Sequence, residues 1–415
     1  MCPHFEGPEG APTAADLFAG CGGMTWGLMN GGFRVVAAWE KADMPRVTYH
    51  QHHCEANNIA LHRDATDVDA SKLPDNLDLL AGGPPCKGFS AAQGETNEDD
   101  PRNRLAFSMV DWAAAVEPKL VLIENVTGLY HSHRKTLDEL TGALEDVGYQ
   151  VELLNLNAVN YGVPQTRKRL FILGVRDDLI TPDQWEPPRV CNEGQQRLTD
   201  INGGDWLAGY TTAEEAIGDL PEPLKSQPAK DDPLHQTLAE RFRTPDNAYT
   251  RTRVDPGTVS GPITRNGEKV WLPTNHKHQN HSRDHREKMA NYELGKSGPP
   301  TTARRLKPDE PAPTMTHSDG TPPVHYQGKT PDNNERIEDV RRLTVREVAR
   351  IQTFIDSFTF AGTRTEQYEM VANAVPPVLA SHIAAHLRTN ILSQQPKPIE
   401  ADIALRENNP DTATG

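Results

Sequence analysis

The run Ala14-Ala15-Asp16-Leu17-Phe18-Ala19-Gly20-Cys21-Gly22-Gly23 carries a short apolar strand into a glycine-rich turn, with a helical pattern behind it. Glycines there let the backbone bend tightly and approach a ligand closely. Outward from this turn, apolar runs at 34–39, 77–81, 119–123 and 170–175 alternate with helical patterns at 45–57, 103–116 and 135–147. Strands alternating with helices predict βαβ units and an α/β, mostly parallel sheet. Ligands of such sheets sit at the carboxyl ends of strands, so the polar residues that close these strands are the candidates for chemistry.

The 415 residues suit two or three domains with a large buried core. Beyond about residue 176 the periodicity fades, and 181–330 is rich in Pro, Gly, Thr and Asn. That composition reads as a smaller, loop-rich domain. Order returns at Thr344-Val345-Arg346-Glu347, a capping box ahead of Val348, Ile351 and Ile355 on one helical face. A last helix is expected at 378–387, after Pro376-Pro377. The expected division is a first domain at 13–180, a second at 181–325, a return segment at 326–392 that completes the first domain, and a polar, disordered tail at 393–415.

No apolar run approaches the roughly 20 residues that span a bilayer, and the first residues lack a basic start and an apolar stretch. The expectation is a cytoplasmic protein with no membrane contact. Cys2, Cys21, Cys54, Cys86 and Cys191 are scattered, odd in number and without a CxxC. A disulfide scaffold or zinc ribbon is thereby disfavoured, no metal site is expected, and cysteine chemistry would come from a single thiol. The net charge of −15 looks wrong for a nucleic-acid binder, yet 241–307 holds 14 Lys and Arg against 6 Asp and Glu. Either this window is a solvated polar stretch or it is a DNA-facing module on an acidic protein.

Four strand ends carry candidate chemistry. Glu40 lies 20 residues after Gly20, where a carboxylate can accept both hydroxyls of a ribose, and Asp64 closes a third strand, where it can accept from an adenine amino group. The loop Gly82-Gly83-Pro84-Pro85-Cys86-Lys87-Gly88-Phe89-Ser90 presents one cysteine behind two stiffening prolines. A thiol so placed is a strong nucleophile once deprotonated, although a lone cysteine is more commonly a small buried hydrophobe. Glu124-Asn125-Val126 follows Leu120-Val121-Leu122-Ile123, and a charge at the end of a buried strand is costly unless it is paired or works. Gln165-Thr166-Arg167-Lys168-Arg169 sets two arginines at i and i+2, which share one side of a strand and suit a carbonyl and a phosphate, or merely form a solvated basic edge.

In this order and spacing, the sequence resembles the S-adenosylmethionine-dependent DNA (cytosine-5) methyltransferases of prokaryotic restriction–modification type. The glycine turn, the Pro-Cys loop, Glu124-Asn125-Val126 and Gln165-x-Arg167-x-Arg169 correspond to that family's blocks. So do Arg342-Leu343-Thr344-Val345-Arg346-Glu347 and Asn373-Ala374-Val375-Pro376, and the correspondence covers 14–175 and about 304–387. The resemblance implies a Rossmann-like methyltransferase sheet with a smaller, loop-rich target-recognition domain. It implies that Cys86 adds to C6 of a flipped-out cytosine, that Glu124 supplies a proton or strong hydrogen bond at N3, and that Arg169, with Arg167, holds the O2 side.

By the same resemblance Phe18, Gly20, Cys21, Gly22, Glu40, Lys41, Asp64, Ala65, Pro85, Leu105 and Asn373 surround S-adenosylmethionine. Double-stranded DNA is the implied partner, with Ser90, Gln165, Arg241, Arg243, Arg251 and Arg253 as candidate contacts to guanine or phosphate. A cognate restriction endonuclease, a monomeric state and a place at the nucleoid are further implications. Lys41 and Ala65 stand where the family often has bulkier apolar residues against adenine, with Trp39 or Ile59 as compensating candidates. Two other readings are tRNA cytosine-5 methylation, whose enzymes usually carry a Cys-Phe-Thr tripeptide that this chain lacks, and a non-catalytic DNA-binding module.

Overall fold

The computed structural model describes residues 10–54, 57–85, 105–180, 182–191, 209–220, 223, 263–265, 268–270, 275–277, 279–296, 304–316, 322–331, 333 and 335–394. Cys86, Ser90, Arg241, Arg243, Arg251, Arg253 and the tail from 395 lie outside these.

The centre is a seven-stranded sheet in the order β3-β2-β1-β4-β5-β8-β6. Its strands are β1 (Thr13–Leu17), β2 (Arg34–Trp39), β3 (Ala60–His62), β4 (Leu79–Gly82), β5 (Leu120–Val126), β6 (Tyr149–Asn157) and β8 (Lys168–Arg176), while β7 (Gln165–Thr166) pairs outside the sheet with β11 (Ala312–Pro313). The pairs β1–β2, β2–β3, β1–β4 and β4–β5 are parallel. The expected parallel arrangement therefore holds for five strands, and β8 departs from it, running antiparallel to both β5 and β6. β6, absent from the expected strands, is one of the two edge strands, and its mixed burial hides the apolar run that marks the central strands. Chain order reverses between β1 and β4, and that switch point opens a crevice at their carboxyl ends.

One face of the sheet is covered by α1 (Gly23–Asn30) and, from the far end of the chain, α10 (Pro377–His386). The two helices approach through small residues. An added Cβ on Gly27 would lie 2.2 Å from the Ala380 Cβ, and one on Gly31 would lie 2.3 Å from the Ala384 Cβ. Leu28, Phe33, Leu79, Leu122, Phe171, Leu379 and Ile383 fill this core. The opposite face is packed by α3 (Ser108–Val116) and α5 (Arg134–Asp146), which bury Met109, Trp112, Leu137, Leu140 and Leu144 against Leu80, Val121 and Ile123. The helix expected at 45–57 is α2 (Asp43–Tyr49), continued by a π-helical turn at His50–Cys54.

A separate core joins α6 (Ala213–Ile217), Leu306 and Met315 to α8 (Val345–Ile351) and α9 (Arg364–Asn373). Both halves of the expected capping box at Thr344 and Glu347 form, and the same device starts α6 at Thr212 and α9 at Thr363, two helices the fading periodicity concealed. The block 342–347 is scaffolding. Glu347 is fully buried, receives both guanidinium arms of Arg341 at 2.8 Å, and is held well below the usual carboxylate range by that charge, against the desolvation that opposes it. Arg346 donates to the carbonyls of Ile355 and Phe358 at 3.0 and 2.6 Å. Part of the basic window is likewise structural. Arg305 is fully buried and donates to the carbonyls of Gln327, Gly328 and Lys329, and Arg286, on α7 (Arg283–Ala290), donates to those of Glu338 and Val340. These two cations are not available to phosphates.

Candidate active site

β1 ends in a turn that only this sequence geometry allows. Phe18 sits at φ +57° and Gly22 at φ +93°, and an added Cβ on Gly22 would lie 2.2 Å from His53 Nε2. Gly22 is thus fixed both by its left-handed backbone and by the imidazole behind it. A bulky residue at positive φ, as Phe18 is, is a strain that surrounding structure must hold. Glu40, at the end of β2, holds this turn from the side: Gly20 N donates to Oε2 at 2.9 Å and Ala42 N to Oε1 at 2.7 Å. The far segment closes on it, since a Cβ on Gly23 would lie 2.4 Å from the Val375 carbonyl oxygen and 3.2 Å from the Ala374 Cβ.

The turn opens into a cavity of about 930 Å³. Phe18, Gly20, Cys21, Glu40, Lys41, Asp64, Ala65, Pro85, Leu105 and Asn373 line it, as do Glu124, Arg167 and Arg169; Gly22, behind the turn, is the one described cofactor candidate that does not. Cys21 is buried with Sγ 3.8 Å from the Met370 carbonyl oxygen, and burial pushes its thiol up to about 12, so this cysteine is no nucleophile. Of the two compensating candidates at the adenine end, Trp39 lines the cavity, whereas Ile59 is buried in the core beneath α1. Ala65 also works through its backbone, its carbonyl accepting from Trp112 Nε1 at 2.7 Å.

Across the cavity, Glu124 and Arg169 form a diagonal pair on the antiparallel ladder: Val126 faces Arg169, Glu124 faces Phe171, and Arg169 Nε reaches Glu124 Oε1 at 3.0 Å. Their side chains are 11% and 14% exposed, enough to meet a ligand and little enough to strengthen the charge interaction. A Cβ on Gly83 would lie 3.5 Å from Glu124 Oε2, so the stem of the Pro-Cys loop passes beside this carboxylate.

Two candidates sit deeper than expected. Arg167 is buried more deeply than Arg169: it is 1% exposed and donates to the carbonyls of Met315 and Ala374 at 3.2 and 3.3 Å, tying the start of β8 to two later stretches of the chain. The break between β7 and β8 falls at Arg167, so the two arginines differ in burial although both border the cavity. Gln165, a candidate DNA contact, is turned inward. It is fully buried, its Oε1 accepts from Met315 N at 2.8 Å and its amide donates to Gln352.

Asp16 is a cavity residue outside the candidates expected from sequence. It lines the cavity fully buried, accepts from Thr25 Oγ1 at 2.6 Å, and its Oδ1 has no hydrogen-bond partner among the described residues. Burial pushes its carboxyl up to about 7. Its signal was the one applied to Glu124, an acid closing a buried strand.

A glycine turn, two carboxylates just beyond strand ends and a Glu–Arg pair thus share one cavity at the switch point, and the model of the C-5 cytosine-specific DNA methylases matches residues 13–389. The chain belongs to that family. The methylase is 31% identical over 396 residues to the type II methyltransferase M.DdeI of Desulfomicrobium norvegicum, covering 90% of this chain and 87% of that one. It is 30% identical to M.MthTI of Methanothermobacter thermautotrophicus over 91% of this chain and 97% of the relative. In fold it resembles the crystal structure of a DNA modification methyltransferase encoded within an E. coli prophage, with TM-score 0.65, 22% identity and coverage of 92% and 100%. The methylase uses S-adenosylmethionine, and its cavity fits a nucleoside joined to an amino acid: carboxylates at Glu40 and Asp64, an indole wall at Trp39, and the open turn at Gly20, where an added Cβ would meet nothing within 4 Å. The family supports DNA over tRNA as substrate, and an enzyme over a non-catalytic module.

Proposed function

We propose that this methylase acts through Cys86, Glu124 and Arg169, on double-stranded DNA recognised through the segment 181–325. The activity itself is the family's, transfer of a methyl group from S-adenosylmethionine to C5 of cytosine in a specific DNA sequence. When bound, the cofactor supplies an electrophilic methyl group; Glu40 and Asp64 hold its nucleoside, and Phe18 and the glycine turn its amino-acid side. Cytosine C5 is too weak a nucleophile to react unaided, so the Cys86 thiolate adds to C6 and makes an enamine of the ring. Glu124 gives a proton or strong hydrogen bond to N3, which keeps negative charge off the ring, and Arg169 donates to O2 while orienting Glu124. Once C5 carries the methyl group, its proton passes to a base and the Cys86–C6 bond breaks by elimination, which returns the thiolate and the aromatic ring. The base must be extruded from the duplex for any of this.

The observation that carries the reading is the Arg169–Glu124 pair at 3.0 Å, opening into the same cavity as the glycine turn. The reading extends to a monomer acting in the cytoplasm at the nucleoid, beside a restriction endonuclease of matching specificity. Its test is nucleoside mass spectrometry on unmethylated plasmid DNA and bulk tRNA after incubation with protein and S-adenosylmethionine. The expected result is 5-methylcytosine in DNA alone, abolished by Cys86→Ala. Methylation of tRNA alone, or an unimpaired Cys86→Ala protein, would overturn it.

A further inference from the structure

The adenine end of the cavity carries an ion pair that methyl transfer does not require. β2 and β3 are neighbours with Trp39 opposite His62, so the residues that follow their ends meet, and Lys41 Nζ lies 2.8 Å from Asp64 Oδ2. The two oxygens of Asp64 are divided. Oδ1 accepts from Thr66 N at 3.1 Å and Thr66 Oγ1 at 2.8 Å, bonds internal to one tight turn, and Oδ2 accepts from Lys41. Of these partners only Lys41 stands on a long flexible stem, 79% exposed. Arg63, the next cation, is engaged by Asp43 at 3.0 Å. An amino group arriving at the outer oxygen of Asp64 therefore meets the Lys41 ammonium first.

We propose that Lys41 is an ionic latch on the adenine subsite: its ammonium and the cofactor's exocyclic amino group compete for Asp64 Oδ2, so Lys41 sets cofactor affinity and makes it depend on ionic strength. This rests on the reading of Asp64 as the adenine acceptor. The Lys41 and Thr66 bonds hold the Asp64 carboxyl down at about 2, so the latch stays charged across ordinary pH and responds to salt rather than to protons. An exposed pair is weak, which limits the effect to about two- to five-fold in affinity, and about 1 M salt shortens the screening length to roughly 3 Å, close to the length of the pair, so the effect shrinks.

The experiment is calorimetric titration of the full-length protein with S-adenosylhomocysteine, which keeps the adenosine and lacks the sulfonium charge, at low and at about 1 M NaCl. Lys41→Met keeps most of the stem and loses the charge, so it binds about two- to five-fold tighter at low salt. That gain shrinks at high salt and disappears in an Asp64→Asn background. Equal or weaker binding by Lys41→Met at low salt would overturn the latch, and so would a gain that persists in Asp64→Asn. If Lys41→Ala weakens binding while Lys41→Met leaves it unchanged, the stem packs on the base and the latch is again refuted. Absence of binding by every protein at both salts would instead defeat the cofactor assignment on which the latch rests.

Discussion

Glu124 shows how a single carboxylate is prepared by its neighbours. It lies two residues from the end of β5, after the fully buried Leu120–Ile123, and Arg169 anchors it at 3.0 Å from the adjacent strand. Glu124→Gln keeps shape and packing but cannot protonate N3. Single-turnover methylation is expected to fall by about 10²- to 10⁴-fold with little change in melting temperature; a loss below ten-fold would remove Glu124 from the proton path. Asp16 gives a pH test. Its carboxyl is pushed up to about 7 by burial, from an ordinary 3.8. The folded protein therefore holds this proton more tightly than the unfolded chain, so the contribution to stability is full below about pH 4 and is lost as pH rises through about 7. Asp16→Asn escapes that loss. Relative to the natural protein it is expected to gain on the order of a few kcal/mol between pH 5 and pH 8 in urea melts. A stability difference that does not move with pH would contradict the assignment.

At the scale of elements, the pairing of α1 with α10 decides whether the carboxyl-terminal stretch folds back onto the sheet. Gly27 and Gly31 meet Ala380 and Ala384, and the Gly27 Cβ position lies 2.7 Å from the Pro377 carbonyl oxygen. Gly27→Ala overpacks this seam and is expected to cost about 1–3 kcal/mol in urea melts. Ala380→Gly in the same chain recovers part of the loss, and lack of recovery would place the strain at the Pro377 backbone instead. The small residues at four-residue spacing were visible in both segments, but nothing local said that they face each other across 350 residues of chain. The capping box at Thr344 was legible because it is complete within four residues. β6 was not, because an edge strand alternates burial and carries charged and amide side chains outward.

The whole molecule must bind a polyanion while carrying a net charge of −15. Phosphate contacts release counterions, so DNA affinity is expected to fall log-linearly with salt, and the number of contacts follows from the slope. Arg305 and Arg286 are spent on backbone carbonyls and should leave that slope unchanged in so far as their variants fold. Of the cations in the basic window, Arg241, Arg243, Arg251 and Arg253 remain candidates. Alanine at one that reads guanine is expected to cost about 1–3 kcal/mol on the cognate site and little on other DNA. Alanine at a phosphate contact weakens both alike and flattens the slope. A slope near zero for the natural protein would refute electrostatic docking of this window. Within Arg364–Gln394 an 18-residue window is apolar enough to suggest a membrane helix, yet 67% of that window is buried in the molecule, as core helices are.

The order of the strands and helices around the glycine turn, the acids that close strands, and the family's blocks were all fixed by short stretches of sequence, because periodicity, capping and turn chemistry act over a few residues. The direction of β8, the inward turn of Gln165 and Arg167, the return of α10 onto α1, and the meeting of Lys41 with Asp64 were decided only in the tertiary structure. Each depends on which distant surfaces come into contact. A buried guanidinium or amide takes whichever carbonyl that contact supplies, and no spacing along the chain encodes it.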